Sequence, residues 1–121
     1  MITFYHNPRC SKSREALVLV EQFAAHRQLA LDVVEYLKNP PTAAQLATLQ
    51  HQLGCDLREM VRSNEEAYTA LGLAQADDAT LLQAVANHPQ LLQRPIAVYQ
   101  GRAAIGRPPE HILALLNEAA A

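Results

Sequence analysis

Tryptophan is missing from this chain, and aromatic residues of every kind make up 5% of it, although 50% of the residues are hydrophobic. The apolar mass is mainly Ala, Leu and Val, a mixture that suits helices packed on a sheet. Cysteine occurs twice, at Cys10 and Cys55. Two widely spaced thiols do not build a disulfide scaffold. Neither stands beside another ligand at metal-binding spacing, so no metal site is expected. No sign of charge dominates. Ten Lys and Arg against twelve Asp and Glu give a net charge of −2, without the basic excess of a nucleic-acid binder. No apolar run approaches the ~20 residues of a membrane span. The chain opens on a short strand and a polar motif, not on a charged segment followed by a long apolar one, so no export signal is expected. Free thiols in a reducing cytoplasm follow from these absences. Repeats, linkers and low-complexity segments are also lacking. A length of 121 residues fits one domain, residues 1–121, able to bury a core without staples.

What is present centres on Tyr5-His6-Asn7-Pro8-Arg9-Cys10-Ser11-Lys12-Ser13-Arg14. Ile2 to Tyr5 is a run of β-branched and aromatic residues, the pattern of a strand. From Ser13 onward, Ala16, Leu17, Val20, Phe23 and Ala24 fall at helical spacing. Cys10 therefore lies at or near a helix N-terminus, where unpaired N–H groups and the macrodipole favour negative charge. His6, Arg9, Lys12 and Arg14 add cationic or potentially cationic groups close in sequence. The spacing thus predicts a thiol held below the ordinary range, able to attack an electrophile beside N–H groups that cradle an oxyanion. Cys55 follows Gly54 at the expected end of a helix and neighbours Asp56, an anion, so it reads as an unremarkable thiol.

Further elements follow in order. Leu31 to Tyr36 reads as a second strand, parallel to the first because a helix joins them. Thr42 and Gln45 have the form of a capping box, and Gly54 ends the helix they start. Short helices are expected at Leu57 to Val61, after an Asn64 cap, and after an Asp78 cap. Pro95 to Tyr99 and Arg102 to Ile105 read as a hairpin around Gln100-Gly101. A last helix starts at Pro108-Pro109. The fold class is α/β: a thioredoxin-like β-α-β and β-β-α core with a helical insertion, about 42–88, between its halves. In that fold a cis X-Pro bond lies next to the active-site thiol, and Arg94-Pro95 is the candidate.

These segments are similar to those of the glutaredoxin-coupled arsenate reductases, most closely their short chromosomal branch. The resemblance rests on the Cys10 string, Tyr36-Leu37 with Pro40-Pro41-Thr42, Met60 to Asn64, Leu71 to Ala74, His88-Pro89, Arg94-Pro95-Ile96 and Ile105 to Glu110. It implies Cys10 as nucleophile and Arg62, Arg94 and Arg107 as oxyanion ligands, in keeping with the two-point bonding of guanidinium to such anions. It also implies supporting roles for His6, Asn7, Ser13 and Arg14 around the thiolate and anion, with His6 helping to lower the thiol. The implied activity is reduction of arsenate to arsenite in the cytoplasm, with glutathione as co-substrate, glutaredoxin as partner and no bound cofactor. No nucleic acid or membrane is involved, and a monomer is expected. Ser13 replaces the second thiol of a Cys-x-x-Cys switch, which leaves one reactive thiol and an external electron source. Two alternatives remain at this level: a diverged glutathione-dependent thiol transferase, and a non-enzymatic thiol-sensing regulator that binds RNA polymerase.

Overall fold

A computed structural model describes residues 1–120. The chain forms two compact units, Met1–Tyr36 with Arg94 onward, and Leu37–Gln93. The second is longer at both ends than the helical insertion read from the sequence.

The first unit is a four-stranded sheet with two helices. Strands β1 (Ile2–His6), β2 (Leu31–Glu35), β3 (Ile96–Tyr99) and β4 (Arg102–Ile105) lie in the order β2-β1-β3-β4. The β1–β2 pair is parallel, as the intervening helix α1 (Ser11–Arg27) requires, and β3 is antiparallel to both β1 and β4. Gln100 and Gly101 both take positive φ, 52° and 74°, the geometry of a two-residue turn that matches strand twist. Alternation along β1 sends Ile2, Phe4 and His6 to one buried face. There α1 presents Ser13, Ala16, Val20 and Ala24 at helical spacing. Helix α5 (Glu110–Ala120) adds Ile112 and Leu116. Ile2 and Phe4 are fully buried in this core, and each such side chain contributes about 1.5–3 kcal/mol. His6 and Ser13 thus occupy core-facing positions despite their polarity.

The ends of these elements differ slightly from the sequence expectation. β1 runs one residue further, to His6, and α1 begins at Ser11. The two prolines before α5 form the turn leading into it, with Pro108 and Pro109 carbonyls accepting from His111 and Ile112 at 3.1 and 3.0 Å. Arg94-Pro95 is cis, and so is Arg107-Pro108.

The second unit holds α2 (Ala43–Leu53), a 3-10 turn at Leu57–Met60, α3 (Glu66–Ala70) and α4 (Asp78–Asn87). Thr42 and Gln45 form the reciprocal capping box, each side chain accepting from the other's N–H at 3.1 and 2.9 Å. Two caps fall elsewhere than the sequence suggests. Asp77, not Asp78, caps α4, because it is the extended residue whose Oδ1 accepts the Thr80 N–H at 2.8 Å. Glu65, not Asn64, takes the N-cap position of α3. Between α3 and α4 the chain has little regular structure, and Arg58 supplies donors there. Its guanidinium reaches Tyr68 Oη at 3.1 Å and the carbonyls of Leu73 and Ala76 at 2.9 and 2.6 Å. Met60 to Arg62 and Leu91 to Gln93 form a short antiparallel ladder around the Val61–Leu92 bridge. The Arg62 N–H donates to Leu91 O and the Gln93 N–H to Met60 O, both at 2.7 Å.

Candidate active site

Cys10 occupies the N-cap position of α1 in extended conformation, φ −94° and ψ 123°. Helices α2 and α4 close their first turns with the side-chain oxygens of Thr42 and Asp77. α1 has a sulfur there instead, and no acidic residue in its first turn. Its first N–H groups are therefore available to a negatively charged sulfur or a bound anion.

The loop before the helix is tied down by its own backbone. The Cys10 N–H donates to Asn7 O at 3.0 Å and the Arg9 N–H to Asn7 Oδ1 at 3.0 Å. The Arg14 guanidinium donates to Pro8 O at 2.9 Å. Ser13 is fully buried. Its hydroxyl oxygen accepts the Asn7 N–H at 3.0 Å and lies 2.7 Å from His6 Nδ1.

Burial by itself would push the Cys10 thiol up. The Ser13 N–H, the positive charge of Arg94, the Lys12 N–H and a hydrogen bond from the Arg94 side chain together outweigh it, so the thiol lies below its ordinary value. The direction is the one the sequence predicts, but the cation differs. Arg94 is remote in sequence, whereas Arg14 is engaged with Pro8 and Lys12 acts through its backbone. The His6 ring is pushed toward its neutral form. Burial lowers its pKa and outweighs Glu35 and Glu21, which favour the charged ring, while Arg14 reinforces the lowering.

Arg94 has a second feature. Its Nε is buried and makes no hydrogen bond among the described residues, and a buried donor without an acceptor costs about 1–3 kcal/mol. The Gly106 N–H donates to Pro95 O at 2.8 Å, which sets the backbone of Arg107 next to the Arg94-Pro95 pair. A Cβ on Gly106 would lie 2.6 Å from Ile112 Cδ1 and 2.9 Å from Pro95 Cγ, so this approach needs glycine. The Arg107 side chain is exposed.

Arg62 belongs to the second unit, where its guanidinium pairs with the Glu65 carboxylate. The structure thus brings Cys10, His6, Asn7, Ser13 and Arg94 into one cluster of the first unit, with the Arg107 backbone alongside. Sequence reasoning missed Glu65, the partner of Arg62 in the second unit, and Gly106 in the first. Arg62 and Glu65 both precede α3, so helical spacing gave no signal for their pairing. The role of Gly106 had no local signal.

The chain matches known proteins along most of its length. The sequence profile of the ArsC family matches residues 5–115. The arsenate reductase of Neisseria meningitidis serogroup A is 46% identical over 118 residues, covering 95% of this chain and 97% of that protein. The arsenate reductase of Haemophilus influenzae is 38% identical over 118 residues, covering 95% and 98%. The solved structure of arsenate reductase from Vibrio cholerae superposes with a TM-score of 0.86 at 44% identity, covering 93% of this chain and 95% of that one.

Proposed function

This chain belongs to the ArsC family, and on that premise we propose that it reduces arsenate to arsenite in the cytoplasm, with electrons from glutathione and glutaredoxin. The observation that carries the reading is the Arg94 guanidinium beside Cys10, which favours the thiolate and keeps a buried Nε without a protein acceptor among the described residues. A bare disulfide substrate would need no such donor, whereas a tetrahedral oxyanion supplies the acceptors it lacks.

In this mechanism the Cys10 thiolate attacks arsenic(V). An S–As bond forms and an As–O bond breaks, the oxygen leaving as water after taking up protons. Arg62, Arg94 and Arg107 bind the remaining oxygens, while the first N–H groups of α1 support the negative charge. Within the first unit the backbone supports the pairing of Arg94 with Arg107, since the N–H of Gly106, which precedes Arg107, is bonded to Pro95, one residue after Arg94. Glutathione then displaces a second oxygen as water, forming an S–As bond of its own. The glutaredoxin thiolate attacks the glutathione sulfur, that As–S bond breaks with its electron pair passing to arsenic, and a glutathione–glutaredoxin disulfide forms as As(V) becomes As(III). Hydrolysis of the remaining Cys10–As bond releases arsenite and restores the Cys10 thiol. The electrons come from outside, so Cys10 is the sole essential thiol and no bound cofactor takes part.

The test is arsenite production by the purified protein from arsenate, with glutathione and glutaredoxin supplied together and separately. Turnover that requires both is the expected result. Absence of arsenite under those conditions, or full activity with thioredoxin alone, overturns the proposal.

A further inference from the structure

The Ser13 hydroxyl lies at the centre of the loop, and hydrogen counting fixes the state of its partner. A serine hydroxyl has one proton to give. The Asn7 N–H can only donate, so at 3.0 Å it uses the Ser13 oxygen as acceptor. Ser13 is fully buried, and the other partner of its hydroxyl among the described residues is His6 Nδ1 at 2.7 Å. If Nδ1 carried a hydrogen, the oxygen would accept twice and the buried hydroxyl proton would point at nothing. The proton therefore goes to Nδ1, which must be bare, and the ring hydrogen sits on Nε2.

We infer that His6 is a neutral acceptor in the Nε2–H form, and that through it Ser13 is a positioning residue, orienting the first turn of α1 so that its N–H groups reach the Cys10 sulfur. His6 thus favours the thiolate without contributing charge. β1 carries His6 to the core face, α1 carries Ser13 to the same face, and the hydrogen bond between them joins strand end to helix start. The His6 ring packs 5.7 Å from the Phe4 ring, centroid to centroid, in surroundings that disfavour an imidazolium. The charged groups facing it are Glu35 on β2 and Glu21 and Arg14 on α1, and burial prevails over the two carboxylates.

The inference rests on Cys10 being the reactive thiol, but not on arsenate being the substrate. Two measurements test it. In the labelled full-length protein at neutral pH, nitrogen-15 spectra of His6 should report an unprotonated Nδ1 and a protonated Nε2. An Nδ1–H tautomer or an imidazolium would overturn the inference whatever any variant does. The second measurement is the pH dependence of Cys10 alkylation, with Cys55 replaced by serine throughout. Ser13→Ala should move the midpoint of the alkylation profile upward by about one pH unit, a tenfold fall in the ionisation constant of the thiol. His6→Ala should do the same. His6→Asn places an uncharged acceptor near the position of Nδ1 and should recover most of the loss. An Asn variant as impaired as the Ala variant would mean that His6 acts by charge, and an unchanged Ser13→Ala thiol would remove Ser13 from the role. Arsenite production does not enter either readout, so a failed arsenate assay with the expected tautomer would remove the substrate reading alone.

Discussion

Cys10 precedes α1 and Cys55 follows α2, so the two thiols meet opposite ends of a helix. Both are partly exposed, and burial pushes both upward. At Cys10 that push is outweighed by the Ser13 and Lys12 N–H groups and by Arg94. At Cys55 it is reinforced by the charge of Glu59, a hydrogen bond with it, and the charge of Asp56. The helix that ends before Cys55 directs its last carbonyls and the negative end of its dipole toward that region. Similar desolvation thus accompanies one lowered thiol and one raised thiol, and the difference follows from helix polarity and the sign of the neighbouring charge, not from exposure.

The largest expected effect tests that contrast directly. Cys10→Ser should lower arsenate reduction by about three orders of magnitude or more, the scale seen when a nucleophile is removed. Cys55→Ser should keep nearly all activity. Steady-state arsenite production decides it, and a large loss in Cys55→Ser would erase the distinction. Next comes Arg94→Ala, which removes the cation from the Cys10 side only. With a charge-assisted bond worth about 1.5–3 kcal/mol, oxyanion binding should weaken roughly 10–150-fold and the Cys10 thiol should rise toward the Cys55 value. Binding of arsenate or phosphate by calorimetry and alkylation against pH measure the two parts. Arg94→Lys should restore the charge but not the two-point fork.

Two glycines sharpen the comparison at the backbone level. Gly106→Ala forces a Cβ against Ile112 and Pro95, and should cost about 1–3 kcal/mol as overpacking does. Gly54, at the end of α2 beside Cys55, has open space around it but φ +65°, so Gly54→Ala should cost about 1 kcal/mol. Thermal unfolding of both should show the larger fall in Gly106→Ala. Only that variant should also weaken anion binding.

The smallest effect is in the pH dependence of stability. A Cys10 thiol lowered by folding binds fewer protons in the native state. Its contribution is present above the unfolded-state value and is lost as pH falls through the lower native one. The raised Cys55 contributes below the unfolded-state value and loses that contribution as pH rises through its native one. Denaturation midpoints of each single Cys→Ser variant across the thiol range should therefore shift with opposite slopes.

Much of the arrangement was legible because it is local. Strand alternation in Ile2 to Tyr5, the helical spacing from Ala16, the Thr42–Gln45 box and the Gln100-Gly101 turn are each decided within a few residues, and each formed. Cap positions were read less well where two adjacent residues offer the same chemistry. In Asp77-Asp78 only backbone conformation selects the residue that caps. At Glu65 the side chain is drawn to Arg62.

The amino-acid sequence by itself determined the α/β element order, a Cys10 thiol at a helix start and a family resemblance running from the first strand to the last helix. The local pattern around Cys10 did not supply the cation beside that thiol; the resemblance named Arg94 among the oxyanion ligands, and tertiary structure brings it to the sulfur through sheet pairing across more than eighty residues of chain. It also set the His6 ring against the buried Ser13 hydroxyl, the contact from which its role as an acceptor is inferred. A histidine's protonation depends on how much water folding removes and which single proton its neighbour can offer, and both are settled only when β1 and α1 pack face to face.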